Sequence, residues 1–481
     1  MDENKTSEIY APVPASGEKN QSTGLKRRLF MGVKKKILIS VSVVLVLAIA
    51  IVLIVLFAPL PMDVNWDAIY DIESNVTLLE AGETGNPTDA AALIRYNADG
   101  SIDTSDWKIL QFTDMHLSEK NKGKAGNGTT MVEFIAAIER EKPDFVALTG
   151  DIITSFRGRA RAVQLCEVME KLGVYWGYCL GNHEGDAFYK LPRKDLMQII
   201  EKYPHCLSDC SVKKTASGED VWGYGNFVVN LLGAGNKVVQ SLIFMDSGDA
   251  ITDADADRLG VERGTYDYLK DSQMTWYEEQ VRAAAKNNDN AKTMLFIHIP
   301  LVEQRNMSYI ALNSDKVLAE GWTENAPIAG WSYVEGAVAK DHDGNVVGKV
   351  AIKDGWYGAN GSKNFEGVCS SEYNNGMYTR MKNLRKWVNG LFCGHDHIND
   401  SVLYEAAGAG ETPIYLAYGV CSGYATYNLY KSNKTDNSNQ WMKGYSVITV
   451  HADASFDYCG VSYDDNYGVT SYVTNSQPVN G

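Results

Sequence analysis

Apolar and polar positions fall into long blocks along this chain. The first block, Ile37 to Ala58, runs for 22 residues without a charge, and only Ser40 and Ser42 are polar. At about 1.5 Å per residue it would span roughly 33 Å as a helix, enough for a hydrocarbon core. It lacks the polar face that a core helix carries. A cleaved signal peptide is the rival reading. Such peptides have apolar cores of only about 7–15 residues, and they end in small residues. Phe57-Ala58-Pro59 matches that poorly. An uncleaved transmembrane signal anchor over 37–58 is therefore expected.

After this block the pattern becomes short apolar runs separated by amphipathic stretches. Lys108–Thr113, Phe145–Thr149, Val174–Leu180, Val238–Met245, Thr293–Ile297, Trp387–Cys393, Pro413–Tyr418 and Ser446–Val450 read as strands. Met131–Glu141, stopped by Pro143, and Met274–Asn287 read as helices. Strands alternating with helices predict an α/β fold. Residues 1–25 are polar, 59–104 read as an acidic stalk or linker, and 461–481 as a tail. No repeat is visible. The stretch between His298 and Gly394 is long and rich in Gly, Asn, Trp and Tyr, as loops beside a site often are.

Charge gives the membrane reading a direction. The net charge of −15 divides into +4 over residues 1–36 and −19 over the remainder. The positive-inside rule then places residues 1–36, a basic tail, in the cytoplasm and the remainder outside or in a lumen, as a single-pass protein. An acidic body is a poor partner for nucleic acid, and none is expected. All eight cysteines follow the apolar block, with Cys206 and Cys210 the best-spaced local pair and no Cys-x-x-Cys zinc spacing. Beyond the apolar block, Asn-x-Ser/Thr sequons occur at Asn75, Asn127, Asn306, Asn360, Asn399 and Asn433; the one at Asn399 lies too near the candidate site to be read as a glycan acceptor.

Five polar islands carry the chemistry, each following an apolar run. They are Asp114-Met115-His116, Gly150-Asp151, Gly181-Asn182-His183-Glu184, His298 and Gly394-His395-Asp396-His397. Five of the chain's eight histidines lie in them. Any one alone would be a turn or a core histidine. Together they are oxygen and imidazole donors of the kind that divalent Fe, Mn or Zn prefers, placed where open α/β sheets carry their sites. Asp114 and His116, two apart in an extended segment, would point to one side. The glycines before the ligands would permit tight turns.

The ordered set of islands resembles the calcineurin-like metallophosphoesterases, over roughly residues 105–460. Asp246-Ser247-Gly248-Asp249, Phe296–Glu303 and Gly394–Asp400 further resemble the purple-acid-phosphatase-like branch. The first island has His116 where purple acid phosphatases have Gly. Ile152, Ile153, Thr154 and Ser155 follow Asp151 with no iron-binding tyrosine, so no coloured iron–tyrosinate centre is expected. The resemblance implies a layered α/β/β/α sandwich and two divalent metal ions. Asp114, His116, Asp151 and His397 would hold one ion. Asp151, Asn182, His298 and His395 would hold the other. His183 would face the substrate and protonate the leaving oxygen, and Glu184 would orient His183 or serve the turn. The implied reaction is hydrolysis of a phosphate ester by a metal-bridging hydroxide, with phosphomonoesters favoured. The alternatives are a phosphodiesterase acting on nucleotides or lipid headgroups, and a catalytically silent surface binding protein that keeps the fold.

Overall fold

The computed structural model describes residues 21–57, 65–118, 127–185, 191–312, 328–340, 346–408, 411–426, 442–464 and 468–479. Residues 1–20 of the expected basic tail, Ala58 at the end of the expected anchor, and Asn433 lie outside the described residues. The chain divides into two units, residues 1–58 and 59–481.

In the first unit a single helix, Gln21–Phe57, runs for 37 residues. Its Val33–Ile54 stretch is long and apolar enough to cross a membrane, with no part of it buried. The helix starts earlier than the apolar block because Lys, Arg and Leu of the basic flank are good helix formers.

The second unit is built on two large sheets. The seven-stranded sheet has the order Gln477–Pro478, Val469–Thr474, Phe456–Ser462, Gly444–Val450, Trp107–Phe112, Phe145–Thr149, Tyr175–Cys179. Its last three strands are parallel, so their C-terminal ends share one rim. The nine-stranded sheet contains Phe227–Gly233, Lys237–Phe244, Lys292–Phe296, Val388–Cys393 and Tyr415–Tyr418 as consecutive neighbours. The middle three of these are also parallel to one another.

Apolar side chains from both sheets form one core. Trp107, Ile109, Phe145 and Ala147 meet Phe227, Phe244, Phe296 and Phe392 there. The phenylalanine rings stack along the sheet at 4.6, 4.8 and 5.3 Å. Each such ring contributes roughly 1.5–3 kcal/mol on burial. The sheets approach closely at Gly177, where an added Cβ would lie 2.9 Å from Phe227 of the other sheet. Helices Asn127–Glu141 and Gly158–Leu172 cover the outer face of the first sheet. Asp271–Asn287 and Met377–Asn383 cover that of the second.

Three features differ from the sequence expectation. Residues 59–104 are not simply a stalk, since Val76–Leu79 and Ala91–Arg95 pair with each other and extend the nine-stranded sheet beside Phe227–Gly233. Ala92, Leu93 and Ile94 are fully buried there, which outweighs the acidic composition around them. Residues 461–481 likewise contain Val469–Thr474, a strand of the seven-stranded sheet. Cys206 and Cys210 are separate buried thiols rather than a pair.

Candidate metal centre

All five islands lie on the rim formed by the parallel strand ends. Asp114, Asp151 and Asn182 follow the first sheet's three parallel strands, and His298, His395 and His397 follow two strands of the second. Two groups of donor atoms converge, each within 4.8 Å: Asp114, His116, Asp151 and His397 in one, Asp151, His298 and His395 in the other. In the first, His397 Nε2 lies 3.3 Å from Asp114 Oδ1 and His116 Nε2 lies 3.5 Å from Asp151 Oδ2. In the second, His298 Nε2 lies 3.2 Å from Asp151 Oδ2, 3.1 Å from Asn182 Oδ1 and 3.3 Å from His395 Nδ1. Metal–donor bonds of about 2.0–2.2 Å put neighbouring ligand atoms about 3–3.5 Å apart, so these spacings suit ions.

The remaining atoms of the same side chains are already engaged. His298 Nδ1 lies 2.8 Å from the Thr149 carbonyl, which leaves Nε2 as the free donor toward the centre. Asp114 Oδ2 accepts from the His395 amide and the Thr113 hydroxyl, and Asp151 Oδ1 accepts from the His183 amide. Their other oxygens, Asp114 Oδ1 and Asp151 Oδ2, and His116 Nε2 are buried without a hydrogen-bond partner. Buried polar atoms left so are costly, and here they all face the two donor groups. The residues therefore fit a pair of divalent ions.

Electrostatics point the same way. Burial opposes the charge of Asp114 and Asp151, yet the adjacent His397 and His298 hold both carboxyls below their usual range. Burial also opposes charge on His298, but Asp151 and Asp114 overcome it and raise this imidazole to about 10. The two buried carboxylates thus demand positive charge at this point, which a bound ion would supply in place of a proton on His298. Burial drives His395 down to about 3 and His397 to about 4, so both are neutral donors.

The backbone reaches this arrangement by a route unlike the expected one. Asp114 and His116 are not extended; their φ angles are 54° and 46°. Asp151 at 53° and His395 at 85° are also left-handed. Such conformations cost about 1–3 kcal/mol each and persist where the surroundings impose them. Of the glycines before ligands, Gly150 has the positive φ a turn needs, 85°. Gly181 and Gly394 instead serve close approach. A Cβ on Gly181 would lie 2.2 Å from Asp151 Oδ1, and one on Gly394 would lie 1.8 Å from Thr113 Oγ1.

His183 is half-buried, with its ring 5.4 Å from that of His116. Glu184 braces the turn, accepting from the Ile152 and Gly181 amides and the Tyr178 hydroxyl. Burial, then the Asp151 charge, raises its carboxyl. Asn399 is buried and accepts from two backbone amides, so its sequon is not a surface site. Thr113, Tyr178 and Arg193 carry no motif and are missed by sequence reasoning. Arg193 binds both the Gly181 carbonyl and Asp246.

Residues 108–399 match the calcineurin-like phosphoesterase family. The chain belongs to that family. Among curated proteins it resembles "Probable inactive purple acid phosphatase 29" of Arabidopsis thaliana, with 25% identity over 69% of this chain and 75% of that one. It also resembles "Phosphatase DCR2" of Saccharomyces cerevisiae, with 25% identity over 66% of this chain and 48% of that protein. Among solved structures a purple acid phosphatase from yellow lupin seeds aligns with 79% of this chain and 58% of its own, at 11% identity and a TM-score of 0.35. The Arabidopsis relatives it matches carry purple acid phosphatase names.

Proposed function

We propose that this chain is a dinuclear, metal-dependent phosphoesterase that hydrolyses a phosphate monoester. The observation that carries the reading is the set of buried, unpartnered donor atoms around Asp151. Asp114, His116, Asp151 and His397 would hold one divalent ion, and Asp151, Asn182, His298 and His395 the other. When bound, such a pair activates water and neutralises phosphoryl charge.

The chain's own groups do the rest. Asp151 turns one oxygen to both donor groups and is held in place through its other oxygen by the His183 amide. Asp114 is held the same way by the His395 amide. His183, half-buried beside His116, gives its proton to the departing ester oxygen, a contribution of typically about 10²–10⁴ in rate. Glu184 keeps the turn that carries His183 rigid through three hydrogen bonds.

The apolar helix acts in this reading as an uncleaved anchor, with the basic flank cytoplasmic and the catalytic unit extracellular or lumenal. A second reading, a silent binding protein, draws on the word "inactive" in the name of the Arabidopsis relative. All seven donors and His183 are present in this chain, which supports catalysis. The test uses the full-length chain in detergent, stripped of metal and reloaded with Mn²⁺, Fe²⁺ or Zn²⁺. Metal-dependent release of p-nitrophenol from p-nitrophenyl phosphate, faster than from the bis ester, is expected. A folded protein that binds two ions per chain and turns over neither ester would establish the silent reading instead.

A further inference from the structure

The Asp246–Asp249 turn, a motif left without a role by the metal centre, is tied to the Gly181 turn through Arg193. Asp246 ends the Lys237–Phe244 strand region, accepts from the Gly248 amide and is clamped by Arg193, and Gln273 donates to its carbonyl at 2.7 Å. The Asp267 amide donates to the Asp249 carbonyl, and Ile251 to that of Thr265. A Cβ on Gly248 would lie 2.6 Å from that of Asp267, so the two segments are in tight contact. Ala250 and Tyr266 form a bridge at the centre of this double turn.

That bridge delivers Tyr266 to the centre. Its ring stands perpendicular to the His395 imidazole, with centroids 4.4 Å apart. The side chain is half-buried, and its hydroxyl makes no hydrogen bond among the described residues. A tyrosine hydroxyl carries its proton at neutral pH and so can donate. The acidic groups nearby are occupied elsewhere: Asp396 accepts from the Tyr418 hydroxyl and the Cys369 amide, and Glu366 from the Ile398 amide. His183 flanks the His116 side of the centre, and Tyr266 flanks the His395 side.

We propose that Tyr266 is a substrate-contact residue, donating a hydrogen bond to a terminal phosphoryl oxygen and so selecting monoesters over diesters. The proposal rests on the phosphoesterase reading above. A monoester presents three terminal oxygens and a diester two, so a fixed donor beyond the metal ligands finds its acceptor only in the monoester.

The test compares Tyr266→Phe with the unaltered full-length chain, both loaded with Mn²⁺. The ring and its packing on His395 are kept, and only the hydroxyl is removed. KM for p-nitrophenyl phosphate should rise about 10- to 100-fold at similar kcat, as expected for a lost hydrogen bond to a charged group. KM for bis-p-nitrophenyl phosphate should stay unchanged. Calorimetric titration with inorganic phosphate should show the same weakening, and elemental analysis the same metal content. Equal effects on both esters, unchanged phosphate binding or loss of metal would each overturn the proposal. If the unaltered chain turns over neither ester, the phosphoesterase reading fails, and the phosphate titration alone still decides whether Tyr266 contacts the anion.

Discussion

The two sheets bring different chemistry to the same rim. The seven-stranded sheet supplies both carboxylates, Asp114 and Asp151, together with Asn182 and His116. The nine-stranded sheet supplies only imidazoles, His298, His395 and His397. Three of the first sheet's four donors sit beyond the family of ordinary backbone conformations or beside a residue that does: Asp114, His116 and Asp151 have positive φ. On the second sheet only His395 does. The first half therefore carries most of the charge and most of the strain, and the second carries neutral, buried donors. Neither half is a complete site. They are stitched together by His298 Nδ1 on the Thr149 carbonyl and by the His395 amide on Asp114. A site divided this way exists only when the sheets are docked, so metal binding and sheet packing should support each other.

The largest break in that arrangement is Asp151→Ala. It removes the carboxylate shared by both donor groups, so phosphatase turnover should fall to background and elemental analysis should find fewer than two ions per chain. Near-normal turnover would exclude a shared carboxylate. Next comes His183→Gln, which leaves every donor in place. Turnover should fall by about 10²–10⁴ with metal content unchanged; lost metal would instead make His183 a ligand.

Gly150→Ala tests the stitch itself. A Cβ there would lie 2.5 Å from His298 Nδ1, and the residue's φ is 85°. Displacing His298 should weaken metal binding by about 10- to 100-fold, read by competition with a chelator. The strain should also lower stability to urea by about 1–3 kcal/mol. Retained affinity would mean that His298 holds its place without the Thr149 carbonyl.

The smallest effect belongs to the far end of the first sheet. His451 follows Val450, which pairs with Trp107 at the end opposite the centre. Burial there opposes its charge, but Asp457 and Asp106 prevail and raise the imidazole above its usual value. A raised folded-state value means stabilisation that is complete below about pH 6.5, the unfolded value, and is lost as pH rises through the higher folded value. His451→Gln should remove this pH dependence, worth less than about 1 kcal/mol for so exposed a pair, while metal content stays constant. A change in metal content would show that strain passes from one end of the sheet to the other.

Much of this was legible in the chain, for identifiable reasons. A strand that is apolar throughout and stops at an Asp or His announces both itself and its end, as Phe145–Thr149 does before Gly150-Asp151. Other elements gave weaker signals. Phe227–Gly233 is buried along its whole length, and such a run cannot be told from a helix by period alone. Gly158–Leu172 has no side-chain cap to mark its start. Val76–Leu79 is short and set in an acidic stretch, so only its pairing with Ala91–Arg95 makes it a strand. Tyr266 and Arg193 belong to no local pattern, and their neighbours at the site come from segments distant in the chain.

The order of residues by itself determined which donor types are available, that they stand at strand ends, and that one apolar helix precedes them. These follow from local composition and period, which each short segment carries alone. The tertiary structure decided which oxygen or nitrogen of each side chain faces the centre, and it placed Asp151 between the two donor groups. It also held Asp114, His116, Asp151 and His395 in conformations an isolated strand end would not keep. Those outcomes depend on hydrogen bonds such as His395 to Asp114, made across the two docked sheets between residues 281 positions apart.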